Sequence, residues 1–236
     1  MRYKIAECII EYKPIYDMLK HKMEPYLYYG EKESDFHLTL TEEFCITKQK
    51  EHSHLTISEC EYIFAGYEFY RKFILKGGFM LHASAVVVDG NAYLFSANSG
   101  VGKSTHTKQW QKYFGTDRAL IINDDKPAIR KNEEGWFAYG TPFSGKTDEN
   151  LNQKAKLQGI CMLERGSDNK IWNVDSGKAI TLLMQQTIVP RDPEMVNLLL
   201  TYLDILLAEV AIYQMQCTIS EEAVKMAYEK MKGDII

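Results

Sequence analysis

The chain has 236 residues, with 28 Lys and Arg against 32 Asp and Glu, a formal net charge of −4. That balance excludes a general nucleic-acid binder, which needs a basic surface to displace counterions from phosphates. Hydrophobic residues at 45% and charged residues at 25% are the proportions of a globular protein and exclude disorder as the overall state.

Five cysteines (Cys8, Cys45, Cys60, Cys161, Cys217) are scattered without CxxC spacing, the pattern of reduced, mostly buried thiols in the cytosol. The charged N-terminus, MRYKIAECIIEYKP, does not read as a signal peptide. The most apolar stretch, Val196 to Val210, contains Asp204 and Glu209 and is shorter than a bilayer span. A soluble, cytoplasmic protein is expected, with neither nucleic acid nor membrane as partner.

No repeat or Pro/Gly/Ser-rich linker divides the chain, but composition shifts near residue 78. We expect an N-terminal α+β region over 1–78, packed on a core formed by 79–236. Residues 1–57 are rich in Tyr, Glu and Lys and yield no assigned element. Ser58 with Glu61 reads as a capping box that opens a helix over 58–76, with Ile63, Tyr67, Tyr70 and Ile74 on its buried face and Gly77-Gly78 as its stop. AVVV (85–88) and AYLFS (92–96) read as strands joined by a tight turn at Asp89-Gly90-Asn91. ALII (119–122) and GICMLE (159–164) are continuous apolar runs of buried strands. Helices are expected over 176–187 and 194–209. A strand follows with Ala211, Tyr213, Met215 and Cys217 on one face. A last helix, opened by Ser220, carries Val224, Ala227, Tyr228 and Met231 at helical spacing.

Residues 97–104, ANSGVGKS, fit the Walker A pattern with Ala97 in the first glycine's position. Glycines 100 and 102 permit backbone conformations that turn N–H groups toward phosphate oxygens, and a helix N-terminus adds its free amides and dipole. Asn98, Ser99, Gly100, Val101, Gly102, Lys103, Ser104 and Thr105 are the expected nucleotide-binding residues. Lys103 would reach the β- and γ-phosphates, and Ser104 would ligate Mg²⁺. About twenty residues on, Asn123-Asp124-Asp125 follows the ALII strand, where one carboxylate can serve the metal and the other a substrate hydroxyl. The same three residues are good turn chemistry. In Gly140-Thr-Pro-Phe-Ser-Gly-Lys146, Lys146 is either a second cation for the γ-phosphate or a solvated loop lysine. Arg165 and Arg191 are further cations, equally suited to structural ion pairs.

The segment LHASAVVVDGNAYLFSANSGVGKST, with NDDKP and GTPFSGK after it, resembles the core of HPr kinase/phosphorylase. That nucleotide-binding core is shared with ATP-dependent phosphoenolpyruvate carboxykinase. The resemblance covers roughly 79–217 and is nearest to a bacterial HPr kinase-like subgroup. It implies an α/β fold, a P-loop core with a mixed sheet, a hairpin before the Walker A loop and C-terminal helices. It also implies that Lys103 and Ser104 hold phosphates and magnesium, that Asp124 and Asp125 divide metal binding and general-base duty between them, and that His82 lies near the phosphates; we expect Asp124 on the metal and Asp125 on the acceptor. The chain departs from that family in having Thr105 where an acidic residue follows the loop serine, and in lacking the family's glycine-rich stretch within 140–160.

The expected function is an ATP- and Mg²⁺-dependent kinase acting on a hydroxyl, in a serine or threonine of a small protein or peptide or in a free amino acid. A nucleotide-binding regulatory module and a carboxykinase-type enzyme are the alternatives. The resemblance also favours a homo-oligomer.

Overall fold

The fold is given by a computed structural model, which describes residues 1–233. The N-terminal region opens with β1 (Arg2–Ile5) and β2 (Cys8–Glu11), an antiparallel pair, followed by α1 (Asp17–Met23) and a 3₁₀ turn over Glu24–Tyr26. The short β3 (Phe36–His37) pairs parallel to β2 and completes a three-stranded sheet. Helices α2 (Glu42–Glu51) and α3 (Ile57–Ile74) follow.

The start and face of α3 differ from the sequence reading. Its capping box is Thr56 with Glu59: Thr56 Oγ1 accepts the Glu59 N–H at 3.2 Å, and the Glu59 carboxylate accepts the Thr56 N–H at 2.8 Å. Glu61 is instead fully buried, accepting from Tyr12 Oη at 2.7 Å and from the amides of Ile15 and Tyr16 at 2.6 and 3.0 Å. It pins the chain that enters α1. Tyr70 and Ile74 are buried as expected, whereas Ile63 and Tyr67 are exposed. The inward stripe runs through Tyr62, Ala65, Phe69 and Phe73. Both sets recur at three- and four-residue spacing, so an aromatic-rich helix has two plausible faces by pattern alone.

The larger sheet is built from β4 (Gly78–Met80), β5 (Ala83–Val88), β6 (Asn91–Ser96), β7 (Ala119–Asn123), β8 (Ala128–Asn132), β9 (Gly135–Tyr139), β10 (Lys154–Arg165), β11 (Lys170–Asn173) and β12 (Ile212–Cys217). Helix α4 (Lys103–Phe114) lies between β6 and β7; α5 (Ser176–Gln185) and α6 (Pro193–Glu209) precede β12, and α7 (Glu221–Met231) follows it. Strands run in the order β4-β8-β9-β10-β6-β5-β7, and β12 joins β10 to β11. The sheet is mixed. β10 pairs parallel with β6 and β12 and antiparallel with β9, so this 12-residue strand serves two partners along one edge and the sheet curls around it.

Side-chain alternation divides the core between the two faces. From β6, Ala92 and Leu94 face one apolar cluster and Tyr93 and Phe95 the other. β5 divides likewise, Ala83 and Ala85 from Val86 and Val88. Leu183 of α5 and Leu199, Leu203 and Leu206 of α6 cover the first face, while Trp110 of α4 and Val224 and Ala227 of α7 cover the second. Burial on both sides explains why these strands read as unbroken apolar runs. A third cluster joins Phe69, Tyr70 and Phe73 of α3 to Ala128, Phe137, Tyr139 and Phe143. The β8–β9 hairpin and β11 went unassigned in the sequence. Among the described residues, no helix is long and apolar enough to cross a membrane.

Candidate functional site

Topology brings three segments to one edge of the sheet. β5 runs antiparallel to both β6 and β7, with Ala83 opposite Ser96 and Ala85 opposite Asn123. The start of β5 therefore lies beside the ends of the other two. His82 and Ser84, the loop after Ser96 and the pair Asp124-Asp125 meet there.

The loop runs from the end of β6 directly into α4. Gly100 and Gly102 hold φ values of +80° and +124°, which side chains disfavour, and the Val101 amide donates to Asn98 O at 3.2 Å. The first intrahelical bond is His106 N to Gly102 O at 2.9 Å. Thr41, Thr56, Asp175, Asp192 and Ser220 cap α2, α3, α5, α6 and α7, but α4 opens on Gly102 with no side-chain cap. Its first-turn amides thus remain available to an outside acceptor. Lys103 is 8% exposed and its Nζ donates to Ala97 O at 3.0 Å. Burial lowers its pKa, against the opposing pull of Asp125 and Asp124. Asn98, Ser99, Gly100 and Thr105 are exposed, and Val101 and Ser104 are half-buried. Arg165 forms no ion pair among the described residues. Instead it clasps the loop, donating to Val101 O at 3.1 Å and to Gly100 O.

Asn123 carries the turn chemistry of the Asn-Asp-Asp run. Its side-chain oxygen accepts the amides of Asp125 and Lys126 at 3.0 and 2.6 Å, so both aspartate carboxylates are free for other partners. Asp124 is 4% exposed and accepts from Ser84 Oγ at 2.6 Å and Thr147 Oγ1 at 2.8 Å. Ser84 in turn meets Thr107 of α4 at 2.8 Å. Asp125 faces His82 Nε2 at 3.2 Å and pairs with Lys126. Burial pushes its carboxyl up, but the His82 hydrogen bond and the Lys126 charge outweigh it and hold the pKa down to about 2. His82 is fixed from behind, with Nδ1 at 3.1 Å from Gln186 Oε1, and Gln186 reaches Asn98 of the loop at 2.9 Å.

The 140–150 loop closes the site. Gly145 has φ +72°, and a Cβ there would stand 2.8 Å from Asp125 Cβ, so only glycine lets this backbone lie against the carboxylate. Tyr62 Oη accepts its amide at 2.9 Å. Lys146 is exposed and forms no ion pair among the described residues. It lines, with His82, Lys103, Ser104, Asp124, Asp125 and Arg165, a cleft of about 920 Å³. A second pocket of about 490 Å³ adjoins the loop, lined by Val101, His106, Leu163, Cys217 and Ile219 and sharing Gly102, Thr105 and Arg165 with the cleft.

The family profile described as SynChlorMet cassette protein ScmC matches residues 44–227. The chain belongs to the ScmC family. The match takes in the glycine loop, the aspartate pair and the 140–150 loop. No curated protein matches the chain. Among solved structures, the HPr(Ser) kinase/phosphatase from Coxiella burnetii is similar at 11% identity and a TM-score of 0.37, over 65% of this chain and 99% of that one.

Several site residues escaped the sequence reading: Ser84 and Thr147 on Asp124, Gln186 on His82, and Tyr62 on Gly145. Ser84 had a usable signal, because it is a hydroxyl at the start of the strand that leads out of His82, next to the expected site. Arg191 lies away from the cleft, on the outer side of α3.

Proposed function

We propose that the chain is an ATP- and Mg²⁺-dependent kinase that transfers the γ-phosphoryl group to a hydroxyl of a peptide, small protein or amino acid. The observation that carries this reading is the shared cleft: an uncapped helix N-terminus behind a glycine loop opens on the same space as two differently held aspartates. In this reading the amides of Gly100 to Ser104 cradle the phosphates, and Lys103 leaves Ala97 O to follow the γ-phosphate. The pocket along Val101, Thr105 and Leu163 offers apolar walls for a nucleoside.

One carboxylate with a nearby hydroxyl suits Mg²⁺, which keeps waters and phosphate oxygens for its other positions. Asp124 and Ser104 would hold it, and its charge would offset that developing on the phosphates. Asp125 orients the acceptor hydroxyl. As its oxygen bonds to the γ-phosphorus and the bond to the β-phosphate breaks, the hydroxyl proton passes to Asp125. A carboxylate held at about 2 is a weak base, so its contribution is chiefly alignment, with proton transfer late, as phosphoryl transfer through a loose transition state allows. Lys146 is the cation for charge on the transferred group.

Lys103→Ala tests the reading. Calorimetric titration with MgATP should register binding to the parent and none to the variant, with thermal unfolding of the two alike. Equal affinity would refute the assignment of the loop.

A further inference from the structure

The outer face of α3 carries a feature that phosphate transfer itself does not use. Glu59, Ile63, Tyr67 and Arg71 recur every four residues and form one stripe along the helix. Its first part, Glu59 and Ile63, lines the catalytic cleft. From Ile63 onward it forms one wall of a separate groove of about 810 Å³, closed on the other side by Phe44 and Lys48 of α2. Ile63 lines both, so the two spaces adjoin at this residue. Phe44, Ile63 and Tyr67 are exposed apolar side chains gathered in this one place.

The groove is also positive at its far end. Arg71 and Arg191 line it, and neither meets a carboxylate among the described residues. Arg71 Nε is buried without a hydrogen-bond partner, and the guanidinium lies over the Tyr67 ring at 5.8 Å. The acidic wall residue, Glu68, is already engaged by Lys72 at 2.8 Å and by the Thr39 amide and hydroxyl at 2.9 and 2.8 Å. Lys48 pairs with Glu51 at 2.6 Å. Two guanidiniums line this groove without a carboxylate partner among the described residues, and the planar fork of N–H donors on such a group matches an incoming carboxylate.

We propose that this groove docks the acceptor as an extended peptide, with bulky apolar side chains against Phe44, Ile63 and Tyr67 and an acidic residue on Arg71 and Arg191. The proposal rests on the kinase reading and adds the acceptor's class to it. Twelve residues of helix from Glu59 to Arg71 rise about 18 Å, which an extended chain spans in about five residues. The acidic residue therefore stands about five or more positions from the phosphorylated hydroxyl.

The test uses the full chain and a random dodecapeptide library with one fixed serine, read by selection for binding and by labelled-phosphate transfer from ATP. Selected peptides should be enriched in Asp or Glu about five or more positions from the serine, with large apolar residues between. Against a selected peptide labelled with fluorescein, the double variant Arg71→Glu, Arg191→Glu should raise the anisotropy Kd and the KM tenfold or more. Its kcat and ATP affinity should stay unchanged, and Arg71→Lys, which keeps the charge but loses the fork, should bind more weakly than the parent and more tightly than the double variant. Equal selection of acidic and basic peptides by a protein that binds ATP would overturn the groove and spare the kinase reading. Failure to bind ATP, with acidic peptides still selected, would do the reverse. Sedimentation that shows self-association abolished by the double variant would assign this face to a second copy of the chain and overturn the proposal.

Discussion

Asp125→Asn perturbs one carboxylate that the structure ties to stability as well as to chemistry. Asp125 has a side chain only 20% exposed, against His82 and Lys126, and its pKa falls from the ordinary 3.8 to about 2. At about 1.4 kcal/mol per pH unit, that fall corresponds to about 2 kcal/mol of folding free energy. The folded value lies below the unfolded one, so this stabilisation is complete above pH 4 and disappears as pH falls through 4 towards 2. Urea unfolding of parent and variant across pH 2 to 7 should therefore show the parent more stable by about 2 kcal/mol at neutral pH. The gap should close below pH 4. At neutral pH the variant should also lose phosphate transfer by about a hundredfold or more, the scale of a misaligned acceptor hydroxyl, while MgATP still binds. Two stability curves that run parallel through pH 4 to 2 would refute the ion-pair reasoning.

Gly145→Ala places a methyl 2.8 Å from Asp125 Cβ at a φ of +72°, so it should lift the loop off the aspartate. It should cost about 1–2 kcal/mol in thermal or urea unfolding and lower kcat more than it raises the KM for ATP. Lys146→Ala removes an exposed cation at the mouth of the cleft; kcat should drop about a hundredfold with Tm scarcely moved, and an unchanged kcat at saturating ATP and acceptor would return Lys146 to the solvated surface.

What the sequence made legible is local. Asp89-Gly90 with apolar runs on both sides, Gly100-Val101-Gly102-Lys103 after a strand, and Ser220 before a helical stripe each contain their own reason for the structure they form. β1 to β3 were illegible because strands of four, four and two residues are too short to establish a period. Glu61 misled because a glutamate three residues after a serine is the pattern of a capping box. Only Tyr12 and the amides of Ile15 and Tyr16, over forty residues away, give it a different use. Gln186 on His82 and Tyr62 on Gly145 are farther apart still in sequence, and no local pattern signals such pairs.

The meeting of His82 with the glycine loop stands between those cases, since it follows from the hairpin by counting. A two-residue turn at Asp89-Gly90 sets Val88 opposite Asn91, and each step back along β5 is matched by one forward along β6 until Ala83 faces Ser96. His82, one residue before β5, is thereby held at the start of the loop, its carbonyl accepting Ser96 Oγ at 2.7 Å. A three-residue turn would have shifted every pair by one and sent the Ser84 side chain to the opposite face. Ser84 would then point away from Thr107 and Asp124, which it bridges at 2.8 and 2.6 Å. The turn length, fixed by Asp89 and Gly90, which do not line the cleft, thus decides which carboxylates and hydroxyls the loop can work with.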